Sequence, residues 1–317
     1  KNLFIQKIHG VKTEDKMIQE EILRLKKDKD AVILAHYYVA PEVQEMADYI
    51  GDSFFLSKKA VELKEKIIVF CGVEFMGESA KMLNPDKKVL MPDLTADCPM
   101  AHMVTKETVD EARAKYDDLA VVCYVNSTAE IKSWSDVCVT SANAVKIVKK
   151  LPQKNILFIP DKNLAHFVAA NAPEKNFIYN DGYCPRHEFM DAQEIAELKA
   201  EHPDAEVLVH PECNADIIKQ ADYVGSTSGI INYAAGSKNK KFIIGTVKGV
   251  IYELLDRRPD AEFYFPKTEP ICVNMAKITL EKLRDVLLSE DKEVMLPPED
   301  INEKAKLTLE RMLEYAK

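Results

Sequence analysis

Nowhere in its 317 residues does the chain place two cysteines in a Cys-X-X-Cys pair. The short-spaced ligand pairs of ordinary four-ligand structural zinc are therefore missing. No apolar run approaches the ~18 to 20 residues of a membrane-spanning helix, and no signal peptide is visible at the N-terminus. Basic stripes are absent as well. The net charge of −9 is spread through mixed Glu/Lys segments, which excludes a nucleic-acid surface as the first choice. Low-complexity tracts are lacking, and 47% hydrophobic residues are ample for a buried core. Seven cysteines, an odd count, fit a reducing cytoplasm in which thiols serve ligation or lie buried.

What the chain does have is a repeat. Cys98, Cys184 and Cys272 follow one another at intervals of 86 and 88 residues (98 to 184, 184 to 272). Each stands in a proline-marked loop: Asp97-Cys98-Pro99, Tyr183-Cys184-Pro185 and Pro270-Ile271-Cys272. Stepping back 62, 60 and 62 residues reaches His36, Tyr124 and His210, each ending an apolar run. Two residues beyond these anchors stand Tyr38, Asn126 and Glu212, and seventeen beyond stand Ser53, Ser141 and Thr227. A second apolar run and a proline-containing turn recur later in every unit. One unit of about 87 residues is thus written three times.

Within each unit, strand-like runs alternate with helical patterns, starting at 31–35, 120–124 and 206–210. The continuous apolar runs are those of parallel strands covered on both faces. This predicts an α/β protein of three similar three-layer α/β/α domains, with parallel sheets related by a pseudo-threefold axis around a central site. The expected divisions are residues 1–94, which begin with a short entry segment, 95–181 and 182–274, with C-terminal helices in 275–317 packing back on the first unit. Ligands of such sheets bind beyond the carboxyl ends of the strands. The anchors and the cysteine loops both fall at those ends.

A single cysteine is usually a small core residue, and Cys71, Cys123, Cys138 and Cys213, which have no repeat partners, are read so. The regular triplet is read as a ligand set. Three thiolates without a fourth suggest a cubane iron–sulfur cluster with one iron open to act as a Lewis acid, although spacing alone does not exclude zinc. Ser53, Ser141 and Thr227 each precede an expected helix. One such hydroxyl would be an ordinary N-cap; three in register suit an anion site for carboxylate or phosphate. His36, His210 and Tyr124, facing the axis, read as substrate contacts or proton carriers. Glu212, the one acidic member of its repeat set, reads as a general base. His187, three residues past Cys184, should line the same cavity, in contact with substrate or supporting a ligand.

Several stretches then resemble quinolinate synthase: Ala35-His36-Tyr37-Tyr38, Gly51-Asp52-Ser53, Cys98-Pro99-Met100-Ala101, Tyr124-Val125-Asn126-Ser127, Thr140-Ser141-Ala142-Asn143, Cys184-Pro185-Arg186-His187, His210-Pro211-Glu212-Cys213, Gly225-Ser226-Thr227 and Cys272-Val273-Asn274-Met275. The resemblance runs from about residue 30 to the C-terminus. It implies three α/β/α domains and condensation of iminoaspartate with dihydroxyacetone phosphate to quinolinate, a step of NAD biosynthesis that releases phosphate and water. It further implies one [4Fe-4S] cluster on Cys98, Cys184 and Cys272, its open iron assisting the final dehydration. His36, Ser53, Tyr124, Asn126, Ser141, His210 and Thr227 are implied as contacts to substrate carboxylates or phosphate, and Tyr38 and Glu212 as proton-transfer residues. An iminoaspartate-forming enzyme is the expected partner. Some members carry a Cys-X-X-Cys group near the third ligand; Cys272 stands alone here, which argues against a disulfide switch at that position.

Overall fold

A computed structural model of the chain describes residues 13–268 and 270–317. The expected entry segment, and with it the absence of a signal peptide, lies outside these described residues for its first twelve positions. Among the described residues no helix is long and apolar enough to cross a membrane.

Twelve described strands form three four-stranded sheets, all parallel. The first comprises β1 (Ala31–His36), β2 (Tyr49–Gly51), β3 (Ile67–Cys71) and β4 (Lys88–Leu90), in the order β2-β1-β3-β4. The second comprises β5 (Leu119–Tyr124), β6 (Val137–Val139), β7 (Asn155–Ile159) and β8 (Asn176–Tyr179), in the order β6-β5-β7-β8. The third comprises β9 (Glu206–Val209), β10 (Tyr223–Val224), β11 (Lys241–Gly245) and β12 (Glu262–Tyr264), in the order β10-β9-β11-β12. One strand order therefore occurs three times, as the repeat requires. The central strands are almost wholly buried, because helices cover both faces of each sheet and leave no position for a polar alternation.

A further repeat fixes the short second strands. Asp48, Asp136 and Asp222 each precede one of them, twelve residues past the anchors. Their carboxylates accept the main-chain N–H of Ile33, Val121 and Val207 at 2.8, 2.7 and 2.8 Å. Each bond ties the start of an edge strand to the strand beside it, where only two or three residues of ladder would otherwise hold the pairing.

The cores are not equivalent. Apolar residues of the first two sheets and of the C-terminal helices merge into one continuous cluster. The third sheet instead buries its faces in two separate clusters, Leu208, Phe242 and Ile244 on one side and Val207, Val209 and Ile243 on the other. The helix Leu280–Ser289 lies against Thr13–Asp28 at the first unit. The last helix, Glu299–Tyr315, departs from the expected packing on that unit. It lies mainly across β6 and the helix Ala129–Ser133 of the second, reaching the first unit's Glu74–Leu83 at one side. Its buried face, Ala305, Thr308, Leu309 and Met312, closes that edge. Arg311 donates to the Asp136 carbonyl at 2.7 Å, while Lys146 and Lys150 donate to the carbonyls of Ala316 and Tyr315 at 2.7 Å each. Cations placed at a helix C-terminus satisfy its last carbonyls and its dipole.

Candidate active site

Since parallel strands all run the same way, the carboxyl ends of each sheet present their loops on one side. The loops of the three sheets converge on one cavity, with about 900 Å³ of space between its atoms, part of it open to solvent. All residues singled out from the sequence line it: His36, Tyr38, Ser53 and Cys98; Tyr124, Asn126, Ser141, Cys184 and His187; His210, Glu212, Thr227 and Cys272. The other four cysteines, 71, 123, 138 and 213, are buried elsewhere in the core.

The hydroxyls are not helix caps. In the first unit the capping side chain is Asp52, whose Oδ1 accepts the Phe55 N–H at 3.0 Å. In the third it is Ser226, whose Oγ accepts the Gly229 N–H at 3.1 Å. Ser53 and Thr227 are therefore the first helical residues rather than residues ahead of the helix. Ser141 stands three positions before Ala144–Lys150, at whose start Asn143 turns back to accept from the Thr140 N–H at 2.7 Å. Ser141 Oγ instead meets His210 Nε2 at 3.2 Å, and Thr227 Oγ1 meets the Tyr38 hydroxyl at 2.8 Å. Freed from capping, the three hydroxyls face the cavity.

His36 and His210 share one tautomer. Nδ1 of each accepts the main-chain N–H two residues on, from Tyr38 at 3.1 Å and from Glu212 at 3.3 Å, so Nε2 carries the proton. Burial, followed by repulsion from His210, lowers His36 to about 3, and burial lowers His210 to about 4. At neutral pH both present a neutral N–H, not a charge.

A second chain of hydrogen bonds joins the third unit to the first. His187 Nδ1 lies 2.8 Å from Glu212 Oε2 and 3.2 Å from Cys184 Sγ. Its Nε2 lies 2.9 Å from Thr246 Oγ1, which lies 2.7 Å from the Tyr38 hydroxyl. With His187 Nδ1–H donating to Glu212, Nε2 accepts from Thr246, and Thr246 in turn accepts from Tyr38. The directions agree along the whole path. Burial works against ionised Glu212, but His210 and His187 outweigh it and hold the carboxyl down to about 2. Burial, then the charge of Glu212, pushes the Tyr38 and Tyr124 hydroxyls well above the ordinary tyrosine value.

The three thiols sit in comparable loops, with Cys98 and Cys184 directly ahead of the helical turns Pro99–His102 and Pro185–Glu188. Burial raises Cys98 to about 12, and the nearby Cys272 adds to the rise. Burial, then Glu212 and Cys98, raises Cys184; burial also raises Cys272. Opposing this, backbone N–H groups face each sulfur: Met100 and Ala101 at Cys98, His187 at Cys184, Asn274 and Met275 at Cys272. Thiols that gather at one cavity and already have N–H donors are of a kind that could hold a cation. Among the described residues, one group of three places its ligand atoms within 4.8 Å of one another, and it is Cys184, His187 and Glu212.

Sequence reasoning missed three lining or linking residues. Thr246 is fully buried and bonded to both His187 and Tyr38. Its repeat counterparts are Gly72 and Pro160, so the repeat carries no trace of it. Arg186 lines the cavity beside Cys184. Asp52 lines it too, and sits inside the Gly-Asp-Ser stretch, overshadowed by Ser53.

Residues 20–314 match the family model described as Quinolinate synthetase A protein. A Fusobacterium nucleatum protein named quinolinate synthase is 52% identical over 299 residues, covering 94% of this chain and 99% of its own length. A Clostridioides difficile protein of the same name is 50% identical over 302 residues, covering 95% and 99%. One from Aquifex aeolicus, again so named, is 48% identical over 310 residues, covering 96% of each chain.

Proposed function

The chain belongs to the quinolinate synthetase A family, and we propose that it condenses iminoaspartate with dihydroxyacetone phosphate to quinolinate, releasing phosphate and water, in NAD biosynthesis. One observation carries the reading: three repeats each send a thiol, a hydroxyl and a strand-end His or Tyr into a single cavity. Hydroxyls and neutral imidazole N–H groups are donors suited to two carboxylates and a phosphate. Ser53, Ser141, Thr227, His36, His210, Tyr124 and Asn126 are assigned to those anions, with Arg186 as the nearby cation.

Cys98, Cys184 and Cys272 are assigned as ligands of one [4Fe-4S] cluster. Its fourth iron, free of protein ligand, would supply Lewis acidity for loss of water. The protein's own part is proton movement. Tyr38 is too high in pKa to ionise alone, yet its proton has a path through Thr246 to His187, where the fixed charge of Glu212 stabilises the imidazolium. Glu212, held near 2, is thus a weak base by itself and acts by orienting and charging His187. Glu212→Gln should keep the cluster and lose turnover. The three units are taken as domains 1–94, 95–181 and 182–274. An enzyme that oxidises aspartate would supply the unstable imine in the cytoplasm.

The group Cys184, His187 and Glu212 favours a second reading, a single zinc ion in a hydrolytic site. The deciding experiment mixes anaerobically purified protein with dihydroxyacetone phosphate and iminoaspartate generated in place by an amino-acid oxidase. Quinolinate detected by mass, dependent on both substrates, supports the synthase. No product from protein with a full complement of iron would overturn it.

A further inference from the structure

Asp52 is the second carboxylate of the cavity, and its capping role does not explain why it is a carboxylate. The equivalent positions in the other units are Thr140 and Ser226, and Ser226 caps its helix by the same bond with a hydroxyl. Asn, Ser and Asp are about equal as N-caps. The helix Ser53–Glu62 uses only Oδ1. Oδ2 is buried and has no hydrogen-bond partner among the described residues, in a residue 7% exposed. Leaving a buried acceptor unpaired is costly, and a carboxylate among hydroxyl, imidazole and guanidinium donors repels the very anions they attract. Such a group is tolerable when the bound molecule brings a donor of its own.

We propose that Asp52 Oδ2 accepts a hydrogen bond from the substrate's nitrogen, so that the cavity recognises a nitrogen-bearing dicarboxylate and not merely a polyanion. The inference rests on the synthase reading, in which one substrate carries an imine or enamine N–H between two carboxylates. Glu212 also leaves one buried oxygen, Oε1, without a partner while His187 engages its Oε2, but it already has a part on the proton path, whereas nothing else in the cavity accounts for a carboxylate at Asp52. Asp52 is a binding residue here; the proton path from Tyr38 to Glu212 does not pass through it.

The test uses the anaerobically purified holoprotein and three stable dicarboxylates that differ at one carbon: L-aspartate, L-malate and succinate, bearing nitrogen, hydroxyl and hydrogen. Affinities are measured by calorimetry for wild type, Asp52→Asn and Asp52→Ser, with inorganic phosphate as the anion control. Both substitutions keep a capping atom, and melting temperatures check that the fold is kept. Wild type should prefer aspartate to succinate, and both variants should weaken aspartate roughly tenfold or more. Succinate and phosphate should bind as before or more tightly, since a negative charge has gone. An unchanged aspartate-to-succinate ratio, an equal loss across all three acids, or a loss confined to malate would each overturn the proposal. Quinolinate formation by wild type is scored separately. Protein that discriminates for nitrogen but makes no quinolinate would keep the contact and sink the synthase reading.

Discussion

Among single residues, Thr246 has the most specific task, because its hydroxyl alone connects His187 to Tyr38. Thr246→Val preserves shape and removes the link. It should lower kcat by roughly 100-fold with little change in KM and no loss of iron, while Thr246→Ser restores most of the rate. Equal kcat in the valine variant would remove the path from the mechanism. The buried histidines make a second prediction. Folded His36 and His210 titrate at about 3 and 4, below the ordinary 6.5. Below 6.5 the unfolded chain takes up protons that the folded one refuses, so stability falls as pH drops from about 6.5 toward 4. The slope is at most roughly 1.4 kcal/mol per pH unit for each histidine. Melting temperatures of the metal-free protein between pH 7 and 4 should show this fall, and His36→Asn should flatten it.

At the level of elements, the repeat was legible because each unit spends its apolar runs and its loop residues at the same offsets. Cys98, Cys184 and Cys272 stand out through that regularity, as do the anchors. The positions of the helix starts were harder to read. A Ser or Thr at a helix start looks like a cap, and only the bond from Asp52 to Phe55 and that from Ser226 to Gly229 reveal that the cap is one residue earlier. Thr246 escaped for the opposite reason: asymmetry leaves no periodic signal. The last helix escaped because chain order does not say which sheet edge needs covering. Where units meet, one glycine is decisive. A Cβ on Gly249 would stand 2.7 Å from the Tyr37 carbonyl oxygen and 2.8 Å from the Tyr38 Cα, while Gln44 donates to the carbonyls of Tyr37, Val39 and Gly249. Gly249→Ala should therefore cost about 1 to 3 kcal/mol and displace Tyr38, lowering the melting temperature and kcat together. A variant as stable and active as wild type would contradict that close approach.

Over the whole molecule, three sheets of one topology stand around a cavity that none of them could build alone. The loop that follows the last strand of each sheet carries one thiol, so the proposed ligand set comes together only when all three sheets are in place. These thiols are proposed to hold one cluster, and the decisive measurement is iron and sulfide analysis with an absorption spectrum of anaerobically purified protein. About four irons and four sulfides per chain, with a broad band near ~400 nm, are expected. They should be lost in each of Cys98→Ala, Cys184→Ala and Cys272→Ala, and kept in Cys71→Ala and Cys213→Ala. A colourless protein with one zinc per chain, or a full cluster surviving loss of any of the three, would contradict it.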